Sequence, residues 1–340
     1  MANTLLMLAT PGFFKVFQLL LVFAALESTV ADIRIGFGID VFKYWGDLGY
    51  YFNDANKQIL APVFKKPYAV KRHLELEDKT VVRGAFQIEL CRDVPQLLEA
   101  FFRPYIVERS SKSWKIFSSN WSKSRIAATM GVNSTYLTSQ YGFAYIRISR
   151  FQEAFTLDPT IRRKKDLIPH VAVNTYTVMS KDSKSVMDFF SKTGSHYVQS
   201  YVTGDALYQV FVFSVPNFLI IQDEFRTHGP KTISSTTLSK YMSPYYAENV
   251  GDIMVASGNP ALKTWAAKHF LMQISFLTYP SLVKLQIRPE LAGKMDPLLG
   301  NKTVLQLELK SMEFAFKDPK RKRWFQRSLD NHLKLWEENG

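Results

Sequence analysis

The sequence predicts an α+β fold, a bent and mainly antiparallel sheet flanked by helices, and three observations point to it. The first is the stretch from Tyr197 to Phe213, rich in Val, Tyr and Phe. It sets Val198, Val210 and Val212 on one parity and Tyr197, Tyr201, Phe211 and Phe213 on the other, the period of two that marks a strand. At roughly 3.3 Å per residue such a strand runs on the order of 50 Å, far beyond an ordinary one, so Gly204 is expected at a bend or bulge. Two strands joined at residues 202–205 are the alternative. The second observation is the helical spacing of Val186, Phe189 and Phe190, with Gly194 where a helix stop belongs. The third is the spacing of Phe325, Leu329, His332, Leu333 and Trp336, which gives the C-terminal segment from Pro319 a helix with one apolar face.

The remaining elements follow in chain order. Lys15 precedes an apolar run from Val16 to Leu26, and Thr29-Val30-Ala31 supplies small residues, which together read as a signal peptide at residues 1–31 cleaved between Ala31 and Asp32. The run is too short for a comfortable membrane span, which needs about 20 apolar residues. After it, Ile33, Ile35 and Phe37 alternate around glycines, and residues 53–80 are polar and mixed. Asp93 or Val94, before Pro95, starts a helix with Leu97, Leu98, Phe101 and Phe102 on one face. Trp114 to Ser119 and Phe143 to Phe151 read as strands. Residues 157–192 carry helix and loop, with Arg162 to Lys165 a solvated face. The stretch from Phe213 to about Ala256 reads as loop-rich, Asn259-Pro260 opens a helix, and Leu282 to Ile287 reads as a strand ending at Pro289.

Charge and cysteine content bound the function. The formal net charge is +13, and Lys15 and Glu27 cancel, so the excess stays on the chain after cleavage. It favours anionic matrix, polysaccharide or a membrane surface as partners, and secretion makes nucleic acid an unsuitable one. The single Cys91 cannot form an internal disulfide and is expected as a buried, inert thiol. Asn120, Asn133 and Asn301 each open an Asn-X-Ser/Thr acceptor for N-glycosylation. No catalytic, cofactor-binding or metal set emerges. The histidines 73, 170, 196, 228, 269 and 332 are dispersed without ligand spacing, and adjacency of Ser195 and His196 does not by itself make a nucleophile and base. The chain is expected not to be an enzyme.

The turn Thr193-Gly194-Ser195-His196-Tyr197, followed by a long strand with Gly204, resembles the signature of the membrane attack complex/perforin (MACPF) family. That signature is an aromatic residue, Gly-Thr-His, then Phe or Tyr. Gly194, His196, Tyr197 and Gly204 fit, Ser195 stands for Thr, and Thr193 replaces the aromatic. The resemblance implies a bent four-stranded sheet in a domain at residues 32–295, with Trp114–Ser119, Phe143–Phe151 and Tyr197–Phe213 as its first three strands and Asn259–Pro289 closing it. Residues 296–340 are then a C-terminal extension with a basic helix. The signature residues, His196 included, are expected to be structural.

The family's pore formers unfurl two helical clusters into membrane hairpins. Here the intervals after the first and third expected strands carry charges and no sustained period of two, and a glycan at Asn120 or Asn133 could not cross a bilayer. The resemblance therefore implies a secreted, extracellular, non-lytic factor associated with matrix or cell surface, partnered with a receptor tyrosine kinase or its ligand. A membrane pore is the alternative. Lys320, Arg321, Lys322 and Arg323 oppose the macrodipole at a helix N-terminus and are candidate residues for docking an anionic partner.

Overall fold

The computed structural model describes residues 33–43, 62–66, 69–73, 86–161, 165–229, 233–299 and 303–339. The cleavage site at Ala31 and Asp32, residues 162–164 and Asn301 lie outside them. In chain order, strands β1 (Gly38–Ile39), β2 (Ala69–His73) and β3 (Phe86–Cys91) lead into helix α1 (Val94–Phe102), strand β4 (Tyr105–Val107), helices α2 (Ser113–Ser118) and α3 (Lys123–Met130) and the long strand β5 (Tyr141–Leu157). Helices α4 (Pro169–Thr177) and α5 (Ser183–Thr193) precede β6 (His196–Ser214). Then come α6 (Val215–His228), α7 (Ser235–Tyr241), the short strands β7 (Asn249–Val250) and β8 (Met254–Val255), and α8 (Pro260–His269). A hairpin of β9 (Leu271–Ile274) and β10 (Leu277–Pro280), helices α9 (Lys284–Ile287) and α10 (Glu290–Met295), strand β11 (Thr303–Ser311) and helix α11 (Pro319–Asn339) follow.

Among the described residues the main sheet has nine strands rather than the four expected, with the order β2-β5-β6-β11-β4; β3 adds to β5, and β1, β7 and β8 add along β6. All of these pairs are antiparallel except β11 with β4. The expected long strand is continuous, at 19 residues. Its irregularity falls at the expected glycine, but the extra residues sit on its neighbours. Opposite Gly204 and Thr203, β5 pairs Phe151 and Glu153 and leaves Gln152 unmatched. Opposite Thr203 and Val202, β11 pairs Val304 and Gln306 and leaves Leu305 unmatched. Two bulges at one level raise the local twist and bend the sheet. Only glycine fits there, because a Cβ on Gly204 would lie 2.1 Å from the carbonyl oxygen of Arg150.

Both faces of the sheet are covered. Phe143 and Tyr145 of β5 and Tyr208, Val210 and Val212 of β6 join one core with Leu97, Ile116, Phe189, Phe325 and Leu329 from α1, α2, α5 and α11. The alternate residues Ala144, Ile146, Ile148, Leu207, Phe211 and Phe213 join a second core with Phe218, Ile221, Leu238, Leu262 and Leu285 from α6 to α9. Each fully buried Leu or Phe contributes about 1.5 to 3 kcal/mol by leaving water. At the crossing of α5 and α11, the rings of Phe316 and Phe325 are 4.7 Å apart and those of Phe189 and Phe325 meet edge to face.

Three expected segments differ. Trp114 to Ser119 is not a strand: residues 113–118 form α2. A strand would send the adjacent Ile116 and Phe117 to opposite faces, whereas one helical turn buries both, and each is under 4% exposed. The strand beside β5 is instead β3, which ends at Cys91. The stretch after β6 is not loop-rich, since Phe218, Ile221 and Phe225 fall on one face of α6 and Ser234 caps α7 by accepting from Thr237 N. Leu282 to Ile287 is not a strand. Leu282 and Leu285, three apart, are buried, while Ile287, which alternation would have buried with Val283 and Leu285, is 48% exposed. Strand β11 lies in the segment assigned to the extension and pairs along β6 from Thr303 to Ser311.

Candidate functional site

The signature turn is a junction where four parts of the chain meet. Helix α5 ends with Gly194 donating to Phe190 O, and Gly194 takes φ of +100°, where a Cβ would lie 2.6 Å from Ile39 N. Ser195 Oγ accepts from Val41 N at 3.1 Å, and its N–H donates to Ile39 O at 3.0 Å, which fastens the N-terminal strand β1. Ser195 O accepts from Met312 N beyond β11. His196 has no exposed surface. Its Nε2 lies 3.0 Å from Glu108 O and its Nδ1 3.0 Å from Ser195 Oγ.

A carbonyl can only accept, so Nε2 carries the proton, Nδ1 is bare and Ser195 donates to it. One directed chain therefore runs from Val41 N–H through Ser195 and His196 to the carbonyl after β4. Burial depresses the His196 pKa to about 4; the bond to Glu108 opposes this and the charge of Arg109 adds to it. The imidazole is neutral, enclosed and hydrogen-bonded at both nitrogens, the arrangement of a strut rather than of a base awaiting a substrate.

The loop after β4 is held from a second direction by α11. Arg109, at φ of +73°, donates from Nε to Asp330 Oδ1 at 2.7 Å and from Nη1 to Glu313 Oε2 at 3.0 Å. Glu337 accepts from Ser110 Oγ at 2.9 Å, Ser111 N at 2.8 Å, Ser111 Oγ at 2.7 Å and Lys112 N at 3.1 Å. Burial raises the Glu337 pKa, but these donors outweigh it and the net shift is downward. Lys115 Nζ caps the same helix end at Glu337 O. Residues 108–112 are thus stitched to β6 on one side and to α11 on the other. Sequence reading missed Glu108, Arg109 and Glu337. Nothing local marks them, because each acts on residues 88 to 227 positions away.

The other expected residues are dispersed. Asn120 and Asn133 are exposed, Asn133 at a turn where its Oδ1 accepts from Thr135 N and Oγ1. Cys91 is buried and its thiol is pushed up to about 12, chiefly by desolvation, so it is inert. At the start of α11, Asp318 accepts from Arg321 N at 2.8 Å, a bond that lowers its pKa and places a carboxylate against the basic run. Arg321 sits 5.5 Å from the ring of Tyr176, and Lys322 3.6 Å from Glu313, while Lys320 and Arg323 are exposed. Beside them α4 exposes Val173 and Tyr176.

No helix among the described residues is long and apolar enough to cross a membrane. No family model matches the chain, and no curated protein matches it in sequence. Among solved structures it is similar to GNIP1Aa from Chromobacterium piscinae, with TM-score 0.47 and 10% identity over 89% of this chain and 56% of that one. It is similar also to a cell invasion protein with a MAC/Perforin domain from Bacteroides thetaiotaomicron, with TM-score 0.38 and 11% identity over 91% of this chain and 60% of that one. A third is Astrotactin-2, a perforin-like membrane protein involved in neuronal development, with TM-score 0.35 and 13% identity over 82% of this chain and 94% of that one. The chain spans less than two thirds of the length of the first two.

Proposed function

We propose that this chain is a secreted, non-lytic MACPF-like factor that works through extracellular contacts. The family reading is supported by the signature turn at the head of the longest strand and by the bend at Gly204. The observation that carries the non-lytic half is the double hold on residues 108–112. In a pore former the interval between β3 and β5 must leave the body of the protein. Here that interval contains β4, paired in parallel with β11, together with the Glu108 carbonyl bonded to His196 and the loop bonded to Asp330 and Glu337. Unfurling would break all of these and leave the buried Nε2 proton of His196 without an acceptor, a cost of about 1 to 3 kcal/mol for that group alone.

Among family members, the small size, single cysteine and weakened signature most resemble the insect protein Torso-like. The finer reading that follows is a factor supporting local activation of the receptor tyrosine kinase Torso in embryonic terminal patterning, in contact with ligand or receptor and associated with the vitelline membrane. Lys320, Arg321, Lys322 and Arg323 are its docking residues for anionic matrix.

The membrane-pore reading keeps one observation in its favour. With β3 as the strand beside β5, the first interval runs from Arg92 to Gln140, longer than the sequence reading gave it.

Dye-loaded liposomes separate the two readings. Purified protein is expected to release no more dye than buffer, and release that grows with protein concentration would overturn the non-lytic reading. The signalling half is read in cells bearing Torso and its ligand, where added protein should raise receptor phosphorylation; no rise rejects it. Replacing the four basic residues by Gln should lower retention on heparin and flatten its salt dependence, and unchanged retention removes them as the docking site.

A further inference from the structure

We propose that the hairpin β9–β10 is a shallow anchor for anionic lipid bilayers. The two strands form a sheet of their own, paired from Leu271↔Pro280 to Ile274↔Leu277. Its base is fixed: Ser281 N donates to Phe270 O at 2.9 Å, Met272 packs on the second core and Tyr279 is buried. Its tip is the reverse of a soluble turn. The two-residue loop is Ser275-Phe276, with Ser275 at φ of +51° where glycine or asparagine is preferred. At that tip Phe276 is 100% exposed and Leu277, beside it, 55%. An apolar tip of this kind marks a contact with a protein or a membrane.

Shape and charge choose between them. The apolar residues crown a convex projection, which a protein partner must meet with a matching pocket but a bilayer accepts without one. The surrounding chain is charged in one sense only: from Ile253 to Pro289 it contains Lys263, Lys268, Lys284 and Arg288 and no Asp or Glu. Lys268 ends the helix that enters the hairpin, and Lys284, just after it, donates to Leu271 O at 2.7 Å. An aromatic and aliphatic tip on a segment whose charged residues are all cationic is the composition of an interfacial element on anionic lipid. Strands of four residues fall far short of the roughly 9 to 11 needed to span a bilayer, so the hairpin seats in the headgroup region. This anchor is independent of the Torso reading.

Co-sedimentation of the full chain with vesicles of phosphatidylcholine, with and without about one third phosphatidylserine, tests it. Wild type should bind the anionic vesicles preferentially. Phe276→Asp should weaken that binding about tenfold or more with thermal unfolding unchanged, since the side chain packs on nothing. Lys263→Gln with Lys268→Gln should weaken it roughly fivefold per charge. A polarity-sensitive dye attached through Phe276→Cys should brighten on the vesicles; the buried Cys91, its thiol pushed up to about 12, leaves position 276 as the labelling site. Failure of wild type to bind, Phe276→Asp binding as wild type does, or an unresponsive dye each overturns the anchor. Binding that survives Phe276→Asp but is lost with the Lys320 to Arg323 replacements assigns lipid to the α11 start instead. A tip needed only to capture another protein, without vesicle binding, assigns it to a protein partner and equally overturns the proposal.

Discussion

Gly204→Ala is expected to abolish folding or to cost about 4 kcal/mol or more, the range reached when backbone must move rather than a side chain repack. The added methyl would lie 2.1 Å from the Arg150 carbonyl oxygen and 3.0 Å from the Phe151 Cα, both main-chain atoms of the neighbouring strand. Relief requires β5 and β6 to separate where both flanking strands already carry an unmatched residue. Gly293→Ala is the control, because nothing lies within 4 Å of its Cβ and it sits in α10, where alanine is worth about 1 kcal/mol over glycine. Denaturant titration of both variants checks the pair. Stability of Gly204→Ala within about 1 kcal/mol of wild type would remove the claim that bulge crowding selects this glycine.

The second large effect is a loss of stability on acidification through His196. The unfolded imidazole titrates near 6.5 and the folded one near 4. Above pH 6.5 both states are neutral and the contribution is complete. Between pH 6.5 and 4 only the unfolded state binds the proton, so stability falls with pH, reaching a loss of roughly 3 kcal/mol at the lower end. Buried Asp40 and Asp205 and half-buried Glu89 have raised pKa values, chiefly from desolvation, and act in the opposite sense. The histidine term is therefore the difference between wild type and His196→Phe. That variant loses two buried hydrogen bonds and should be less stable at pH 7 by about 2 kcal/mol, with the gap closing as pH falls and reversed near pH 4. A gap that stays constant between pH 7 and 4 would show that His196 titrates normally in the fold.

The strand centred on Gly204 was legible because β-branched and aromatic residues alternate through it, a pattern no helix tolerates for so long. The α1 start was legible because Asp93 caps it, accepting from Gln96 N at 2.9 Å. Trp114 to Ser119 was not, since so short an apolar run suits a helix or a strand equally until its neighbours are known. Strand β11 carried a readable signal, Leu305, Leu307 and Leu309 alternating with Gln306, Glu308 and Lys310, but it lay beyond the point where the resemblance closed the domain. At the candidate site the turn itself was visible from Gly194 to Tyr197, whereas its partners were not. Val41, Glu108 and Met312 contribute main-chain atoms, and a main-chain partner leaves no trace in residue identity.

The same wiring constrains when the molecule can become itself. The turn at 194–197 takes bonds from residue 41 before it and from residue 312 after it, so its full set cannot exist until residue 312 has been synthesised. Long strand β6 therefore waits, apolar on both faces and lacking β11 along one edge, while more than ninety further residues emerge. Pairings of such sequence separation form slowly and leave open edges in the meantime. The length of that interval makes unfinished chains, more than the completed fold, the form most in need of chaperones.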